Sequence, residues 1–503
     1  MNIVSNEKIN FNSLEENTFK KVMELGRNLI KDELKLIDNL IKQYRDREIF
    51  KVKDSQRTTV KTKLGDIEFS RRRYEMEING KKQYVYLLDE LLEINNIGQY
   101  SESVVEMMVR EITKKSYRET AKTISEDTDS VITHTAVRRV ILALGEKIKA
   151  LEEEKIKLYE NGEIEGQKEA KYIFCEHDGI YIKKQKSKKN KGKKKYKEKH
   201  FRKKKKTGNK RRKNGIELKI AVIHEGKEPR YKNDYRLKNK IIVGTAQKAK
   251  DLKRIEDTVI GTTYKEYKIK KIVINGDGAD WTGNIVEGAK EIFQLDMAHI
   301  QKKIYMAVSD EEYLKKMQEI VYTKQAKDIF SLIYNYKVEL EEDKKTEELN
   351  KVIELEEYLR NNEGGLQRYQ YKLGYKEEDL EKIQEKLPSL GSEESHMYCV
   401  CRDRMKKNRT SWSITGAEAL LKVIINRMNG TVEEIISKKA EEKIKEELAE
   451  RIPEPQKVAK KKYGEIKYVE TAKILENITR DYTKENIKRV LRTKKFSELM
   501  IIN

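Results

Sequence analysis

Two aspartates occupy strand positions where a carboxylate without a partner is rarely found. Asp178 lies in the middle of the apolar run Tyr172–Ile182, and Asp277 directly follows the apolar run Lys271–Gly276. Because a buried carboxylate is costly unless something pairs with it, two such acids predict a shared cation. Carboxylate oxygens suit hard divalent cations, so Mg²⁺ (or Mn²⁺) is the expected cofactor.

A third acid is expected beside this pair. Phosphodiester hydrolysis and transfer need charge stabilisation on the attacking and leaving oxygens, which two Mg²⁺ ions can supply. Glu394 and Glu418 each lie at the start of a predicted helix, and Glu393 is adjacent to the first of them. The residues by themselves leave these three glutamates as alternatives.

The order of the predicted elements gives the acids their places. Three meandering strands followed by α/β alternation is the order of a ribonuclease-H-like core, with one acid on the first strand and another at the end of the fourth. The predicted fold class is therefore α/β, with such a catalytic core at 168–300 and its second part at 391–450. The expected strands are 171–183, 216–225, 239–245, 271–276 and 292–296, with a helix at 247–260.

Charged helical and basic segments surround this core. Residues 301–390 are predicted to be a helical insertion, with an independent coiled-coil arm as the alternative, and 451–503 a basic helical tail. Before the core, we expect an N-terminal helix at 1–50, a small antiparallel β unit at 51–95 and a helix-turn-helix region at 96–150. An acidic link is expected at 151–170.

The helix-turn-helix prediction rests on local periodicity. A short helix is predicted from Tyr117 to Ile124, a loop from Ser125 to Ser130, and a second helix from about Thr133. The second helix has its apolar residues on one face, and an ordinary helical hairpin is the alternative. The residues predicted to contact DNA from the other faces are Thr135, Arg138 and Arg139.

The charge of the chain favours an anionic polymer as partner. The 503 residues carry a net charge of +23, which is typical of proteins that bind nucleic acid, although a lysine-rich genome is an alternative explanation. The segment from Lys183 to Lys213 holds 20 Lys or Arg among 31 residues and one acid. It is too charged to fold by itself and is expected to bind DNA phosphates through residues that include Lys193, Lys194, Lys195, Lys203, Lys204, Lys205, Arg211 and Arg212.

Other function classes find little support. Three cysteines without a CxxC pair do not make a disulfide framework or a zinc ribbon. The chain has no apolar run of the roughly 20 residues that a membrane span needs, and its first residues do not resemble a secretory signal. The expected location is the bacterial cytoplasm, in association with the nucleoid, and no membrane partner is expected.

The order of short motifs resembles a known family. The motifs are Asp178-Gly179, Gly276-Asp277-Gly278, Leu295-Asp296-x-x-His299, Gly391-Ser392-x-Glu394, Arg404-Met405-Lys406 and Ser411-Trp412-Ser413-x-x-Gly416-Ala417. Their order and spacing resemble bacterial insertion-sequence transposases of the DDE type, in particular the ISLre group, long filed under an uncharacterised-protein (UPF) label. The resemblance covers most of the chain.

This resemblance implies metal-dependent cleavage and strand transfer on double-stranded DNA by a homo-oligomer. It implies Asp178, Asp277 and Glu394 as catalytic metal ligands, with Glu418 as the alternative third acid. Two other functions remain open: a catalytically inactive nucleic-acid-binding relative, and a structure-specific nuclease of the same fold.

Several polar and aromatic residues near the acids have more than one interpretation. Asp296 and His299 resemble an element of related transposases that supports the acids, but a helix cap and a core histidine are equally expected. His177 is predicted to be structural because it alternates to the opposite face of the strand from Asp178. Asp280 is predicted to cap a helix, and no role is assigned to Trp281. Trp412 is predicted to pack in the core rather than stack on a base.

Overall fold

The computed structural model describes residues 10–78, 80–92, 94, 99–185, 215–231, 234–279, 288–383, 387–391, 401–406 and 410–437. These residues form two compact units. The first contains the described residues up to Ile112 together with Tyr117–Val140, and the second contains Thr113–Ser116 and Ile141–Ile435.

The first unit is built on a three-stranded antiparallel sheet of order β1-β2-β3. The three strands fall within the predicted β unit at 51–95, but Leu87–Leu92 at the end of that range is helical. Leu34 of the long first helix packs against Ile67 and Phe69 of the sheet. The elements are α1 (Phe11–Tyr44), β1 (Lys51–Thr62), β2 (Gly65–Ile78), β3 (Lys81–Val85), α2 (Leu87–Leu92), α3 (Glu102–Ile112) and α4 (Tyr117–Thr128).

Three helix boundaries differ from the sequence predictions. Helix α1 occupies only Phe11–Tyr44 of the predicted 1–50, and its cap Asn10 accepts a hydrogen bond from the Ser13 amide at 2.8 Å. The predicted loop from Ser125 is wrong for its first turn, since α4 continues to the buried Thr128. The predicted link at 151–170 is wrong at its start, because helix α5 (His134–Glu160) extends through it with Ile156 buried.

The second unit is organised by a five-stranded mixed sheet of order β10-β9-β4-β5-β8. Strand β4 is central and pairs antiparallel with β5 and parallel with β9. Strand β10 pairs parallel with β9, and β8 pairs antiparallel with β5. The five predicted strands are confirmed to within about two residues, as β4 (Tyr172–Lys183), β5 (Gly215–His224), β8 (Ile241–Thr245), β9 (Lys271–Gly276) and β10 (Glu291–Leu295). A hairpin that was not predicted, β6 (Lys227–Tyr231) with β7 (Asp234–Leu237), lies between β5 and β8.

Alternation along β4 divides its side chains between the two faces of the sheet. Ile173 and Cys175 pack with Leu252 of helix α6 (Ala249–Thr263) on one face. Phe174 packs with Tyr369 on the opposite face. Because the period of a strand is two, Glu176 and Asp178 lie on the same face as Phe174.

The described part of 301–390 is helical, as predicted. Its helices share one core that includes Leu295 of β10, Ile300, Ile333 and Leu355. The shared core contradicts an independent coiled-coil arm, because the helices pack on one another and on the sheet edge. The helices are α7 (Met297–Ala307), α8 (Glu311–Ile320), α9 (Ile329–Glu342), α10 (Thr346–Asn361), α11 (Tyr369–Lys372) and α12 (Leu380–Ile383), and the later helices of the unit are α13 (Ile414–Asn429) and α14 (Val432–Ile436).

No helix in the described part of the chain is both long and apolar enough to cross a membrane.

Candidate active site

Three aspartates follow one another along a single edge of the five-stranded sheet. The last pair in the β4–β9 ladder is His177 with Gly276, and the last pair in the β10–β9 ladder is Leu295 with the same Gly276. Asp178, Asp277 and Asp296 are the next residues on the three strands. Adjacent strands lie about 4.8 Å apart, so the sheet brings together three acids that are far apart in sequence.

Asp178 is a half-buried carboxyl without a basic ion-pair partner in the described residues. Its Oδ1 accepts a hydrogen bond from the Gly179 amide at 2.6 Å. The pKa of Asp178 is raised to about 6, chiefly by burial and also by the negative charges of Asp277 and Asp296, while the Gly179 hydrogen bond and His299 oppose the rise. The described residues around Asp178 therefore do not fully neutralise the negative charge of the site.

Asp277 is held by its backbone at the end of β9. Its Oδ1 accepts from the Ala279 amide at 2.9 Å, and its backbone carbonyl accepts from the Tyr358 hydroxyl of α10 at 2.7 Å. The helical segment therefore contacts the acid edge directly. Within the described residues, no Lys or Arg forms an ion pair with Asp277.

Asp296 differs from the other two acids because several donors hold it. It caps α7: its Oδ1 accepts from the His299 amide and ring Nδ1, both at 2.9 Å. Burial alone would raise the pKa of Asp296, but the hydrogen bonds from His299 lower it below the usual value. The predicted cap is confirmed, whereas the expected core histidine is wrong, because the His299 side chain is 40% exposed.

Glu176 and Gly391 join the site although the sequence did not indicate Glu176. The buried Glu176 accepts from the Gly391 amide at 2.8 Å, and its other oxygen lies 3.1 Å from Nε2 of the buried His224. Gly391 has φ +87°, and a Cβ there would lie 2.3 Å from Oδ2 of Asp296. The signal that could have revealed Glu176 is its place in β4, on the same face as Asp178 and two residues before it.

The predicted third acid lies outside the described residues, as do Glu393, Asp280 and Trp281. The nearest described residue before Glu394 is Gly391, whose amide donates to Glu176. After Glu394, the chain returns to β4 at Trp412, whose amide donates to the Lys183 carbonyl at 2.9 Å. Gly391 and Trp412 therefore both form a hydrogen bond with β4.

Glu418 lies at the end of the outer strand β8, which is two strands away from β4 in the sheet. It is buried, and its carboxylate accepts from the Thr245 hydroxyl at 3.0 Å and from the Ala246 amide. The buried Lys422 lies 3.9 Å from it. These hydrogen bonds join α13 to the end of β8.

Two further predictions about neighbouring residues are confirmed. His177 is structural: its Nε2 lies 2.6 Å from Oε2 of Glu256, and both side chains are fully buried. Burial would raise the pKa of Glu256, but His177 lowers it below its usual value. Trp412 is a core residue, with its indole Nε1 donating to the Met405 carbonyl at 2.8 Å.

The acids at the sheet edge suit a divalent cation. Asp178 and Asp277 offer hard oxygen ligands, and each has one short hydrogen bond to its carboxylate within the described chain. A cation would offset the burial and the neighbouring negative charges that raise the pKa of Asp178. Among the described residues, no group of three or more His, Cys, Asp or Glu side chains is arranged to hold a metal ion.

The predicted DNA-binding residues fall into two groups. Thr135, Arg138 and Arg139 are exposed near the start of α5, and the Thr133 hydroxyl accepts from the Ala136 amide at 3.2 Å at that helix start. The other predicted contacts lie outside the described residues: Lys193, Lys194, Lys195, Lys203, Lys204, Lys205, Arg211 and Arg212.

Comparison with known proteins identifies the family. The model of an uncharacterised protein family, UPF0236, matches residues 4–443, so the chain belongs to this family. Similar proteins occur in Caldanaerobacter subterraneus subsp. tengcongensis. UPF0236 protein TTE0402 is 27% identical over 421 residues, which cover 81% of this chain and 72% of the relative.

Two other relatives from that organism are equally similar. UPF0236 protein TTE2489 is 27% identical over 418 residues, covering 81% of this chain and 76% of the relative. A third relative is 27% identical over 417 residues, covering 81% of this chain and 75% of the relative, and its name joins eleven designations. None of these names states an activity.

Proposed function

We propose that this chain is a DDE-type transposase that cuts and transfers DNA strands with Mg²⁺ or Mn²⁺. The observation that carries the proposal is the position of Asp178 and Asp277 at one edge of two adjacent parallel strands, without a basic partner among the described residues. Carboxylates held in this way suit a divalent cation and a phosphate substrate.

The strand order supports a ribonuclease-H-like core. With the five strands numbered by chain position, the sheet order is fifth, fourth, first, second, third, and only the second runs opposite to the others. One acid lies on the first strand and another follows the fourth, as the sequence-based expectation requires.

The proposed chemistry consists of two phosphoryl transfers. Asp178 and Asp277 would hold the cation, which stabilises the charge that develops on the attacking and leaving oxygens. First, water bonds to phosphorus while the bond to a 3′ oxygen breaks, leaving a 3′ hydroxyl and a 5′ phosphate. That hydroxyl then bonds to phosphorus in the target strand, the bond to the target's own 3′ oxygen breaks, and protons pass to solvent.

Glu394 remains the proposed third ligand. Gly391, three residues earlier, is held by Glu176 on the same face of β4 as Asp178. Glu418, the alternative, already accepts hydrogen bonds from Thr245 and Ala246. A carboxylate that is engaged in this way would have to break buried hydrogen bonds before it could bind a cation, which is costly.

DNA binding is proposed for two regions. Helices α4 and α5 would form a helix-turn-helix in which Thr135, Arg138 and Arg139 contact DNA. The basic segment from Lys183 to Lys213 would contact phosphates. A relative whose name joins eleven designations is consistent with a sequence copied within one genome, which supports a mobile element.

The test is a cleavage assay with purified protein, Mg²⁺ or Mn²⁺, and DNA that carries the sequences flanking the gene. We expect nicking at the ends by the wild type. Asp178→Asn, Asp277→Asn and Glu394→Gln should each lose at least about a hundredfold, because altering even residues that merely support metal ligands costs 10–100-fold.

Glu418→Gln is the matched control. It should lower thermal stability, because a buried hydrogen-bonded network is disturbed at a cost of about 1–3 kcal/mol, yet keep cleavage per folded molecule below its melting temperature. Loss of cleavage in Glu418→Gln but not in Glu394→Gln would move the third ligand. Tight DNA binding by the wild type without any cleavage would favour an inactive binding protein, and cleavage at junctions without strand transfer would favour a structure-specific nuclease.

A further inference from the structure

A lysine of the helical segment lies over an aromatic ring that is anchored to the acid edge. Nζ of Lys303, on α7, lies 4.0 Å from the centroid of the Tyr358 ring on α10. The hydroxyl of the same Tyr358 donates to the backbone carbonyl of Asp277 at 2.7 Å. One side chain therefore links the ammonium group to the residue that follows β9.

Tyr358 is a stable support for a cation. Burial, followed by the charges of Asp277 and Asp296, raises the pKa of Tyr358 well above its usual value. The phenol therefore stays protonated and keeps donating to Asp277. A lysine ammonium over an aromatic face is attracted to the ring, and this attraction restricts an otherwise mobile side chain.

Among the residues that the structure describes, Lys303 has no anionic partner that would explain its position. In the described chain, no carboxylate forms an ion pair with Lys303, although the side chain is exposed and available to solvent. His299 lies one turn earlier on α7, and residues four apart share a helix face. His299 also acts electrostatically on Asp178, so this face of α7 adjoins the acids.

The geometry points to Lys303 as a binding site for a DNA phosphate next to the one that is cut. This inference rests on the proposed function, since the acid edge must bind DNA. Two carboxylates repel a phosphodiester backbone, and an ammonium group held beside them offsets that repulsion. Tyr358 would act as a positioning residue that holds Lys303 at a fixed place relative to Asp277.

The matched control is Lys302, the neighbouring exposed lysine on α7, for which the described residues provide neither a ring contact nor an ion pair. Lys303→Gln and Lys302→Gln remove the same charge. DNA affinity is measured in Ca²⁺, which avoids any dependence on cleavage, at several salt concentrations. We expect Lys303→Gln to bind about tenfold more weakly, with a salt slope smaller by about 0.9, and Lys302→Gln to bind as the wild type does.

The phosphate itself is located by replacing single phosphates near the end with neutral methylphosphonates. In wild type and Lys302→Gln, one replacement should weaken binding, whereas Lys303→Gln should be insensitive to that same replacement. Tyr358→Leu should reproduce part of the Lys303→Gln effect, Tyr358→Phe should keep the ring contact, and Lys303→Arg should restore affinity.

Equal affinity of Lys303→Gln and Lys302→Gln, or equal sensitivity to every methylphosphonate, would overturn the inference. These readouts separate the inference from the proposed function. Suppose that Lys303→Gln alone loses its sensitivity to one methylphosphonate replacement, but no DNA is ever cut. The phosphate site then stands while the transposase proposal fails.

Discussion

At the residue scale, Asp178 shows how burial and like charge act on one carboxyl. Its pKa is raised to about 6, compared with about 3.9 for an aspartate in an unfolded chain. The folded protein therefore binds more protons than the unfolded chain between these two values. Stability falls as pH rises through this window, because the folded state must then hold a charge that it disfavours.

The first prediction follows from this fall in stability with rising pH. Asp178→Asn should be more stable than the wild type at pH 8, by about 1–2 kcal/mol, and the difference should vanish below about pH 4. The measurement is urea unfolding over this pH range. Asp328→Asn, which changes an exposed aspartate of the same unit, should show no such pH dependence.

Cation binding should reverse the stability difference between Asp178→Asn and the wild type. At pH 8, Mg²⁺ should stabilise the wild type, because a ligand that binds only the folded state raises its stability, and should stabilise Asp178→Asn much less. A wild type that is more stable than Asp178→Asn at pH 8 without Mg²⁺ would contradict the view that uncompensated charge is stored at this position.

At the element scale, the least expected feature is the contact between Glu176 of β4 and the amide of Gly391, here called the clamp. Glu176 points to the same face of β4 as Asp178 and holds the amide of Gly391, while Asp296 occupies the space that a Cβ at 391 would need. A strand and a helix cap together determine where the segment containing Glu394 begins.

The second prediction compares two glycines with nearly the same backbone conformation. Gly391 has φ +87° and a Cβ position 2.3 Å from Asp296 Oδ2, whereas Gly374 has φ +90° and no heavy atom within 4 Å. Replacement by alanine costs each about 1–2 kcal/mol for the left-handed conformation. Only Gly391→Ala should also lose Mg²⁺-dependent thermal stabilisation and cleavage.

Gly374→Ala therefore measures the conformational cost alone. Comparable loss of Mg²⁺ stabilisation in both variants would show that the effect of Gly391→Ala is general destabilisation. Equal Mg²⁺ responses in Gly391→Ala and the wild type would remove the clamp from the proposed site.

At the scale of the whole molecule, charge is the dominant property. The net charge of +23 includes the concentration of Lys and Arg between Lys183 and Lys213. Binding of a basic segment to DNA releases counterions, so affinity falls with salt by a slope of about 0.9 for each phosphate contact.

The third prediction uses this slope. Replacing Lys203, Lys204, Lys205, Arg211 and Arg212 by glutamine should reduce the salt slope of DNA binding by about 0.9 for each residue that contacts a phosphate. The control removes five positive charges that already pair with carboxylates in the helical segment. Those residues are Lys315, Lys316, Lys327, Lys345 and Lys351.

The two five-residue variants carry the same net charge. An equal change of slope in both would mean that overall charge, rather than the basic segment, determines DNA affinity. Affinity is measured by fluorescence anisotropy at several salt concentrations with the same labelled duplex.

The strands could be predicted from local sequence patterns, and the same patterns drew attention to two acids at strand positions. Alternation of apolar residues is a local pattern, so β4 and β9 were predicted nearly at their observed bounds, and Asp178 and Asp277 stood out as carboxylates at strand positions. The division of β4 into two faces was equally local, which is why the structural role of His177 could be predicted.

Tertiary structure decided which polar groups meet. The pairing of β9 with both β4 and β10 brings Asp178, Asp277 and Asp296 to one edge, and no local pattern specifies that pairing. Likewise, whether a glutamate is an available ligand depends on its partners: Glu418 is engaged by Thr245 and Ala246. The physical reason is that the free energy of a buried carboxylate depends on its neighbours in space, and these come from distant parts of the chain.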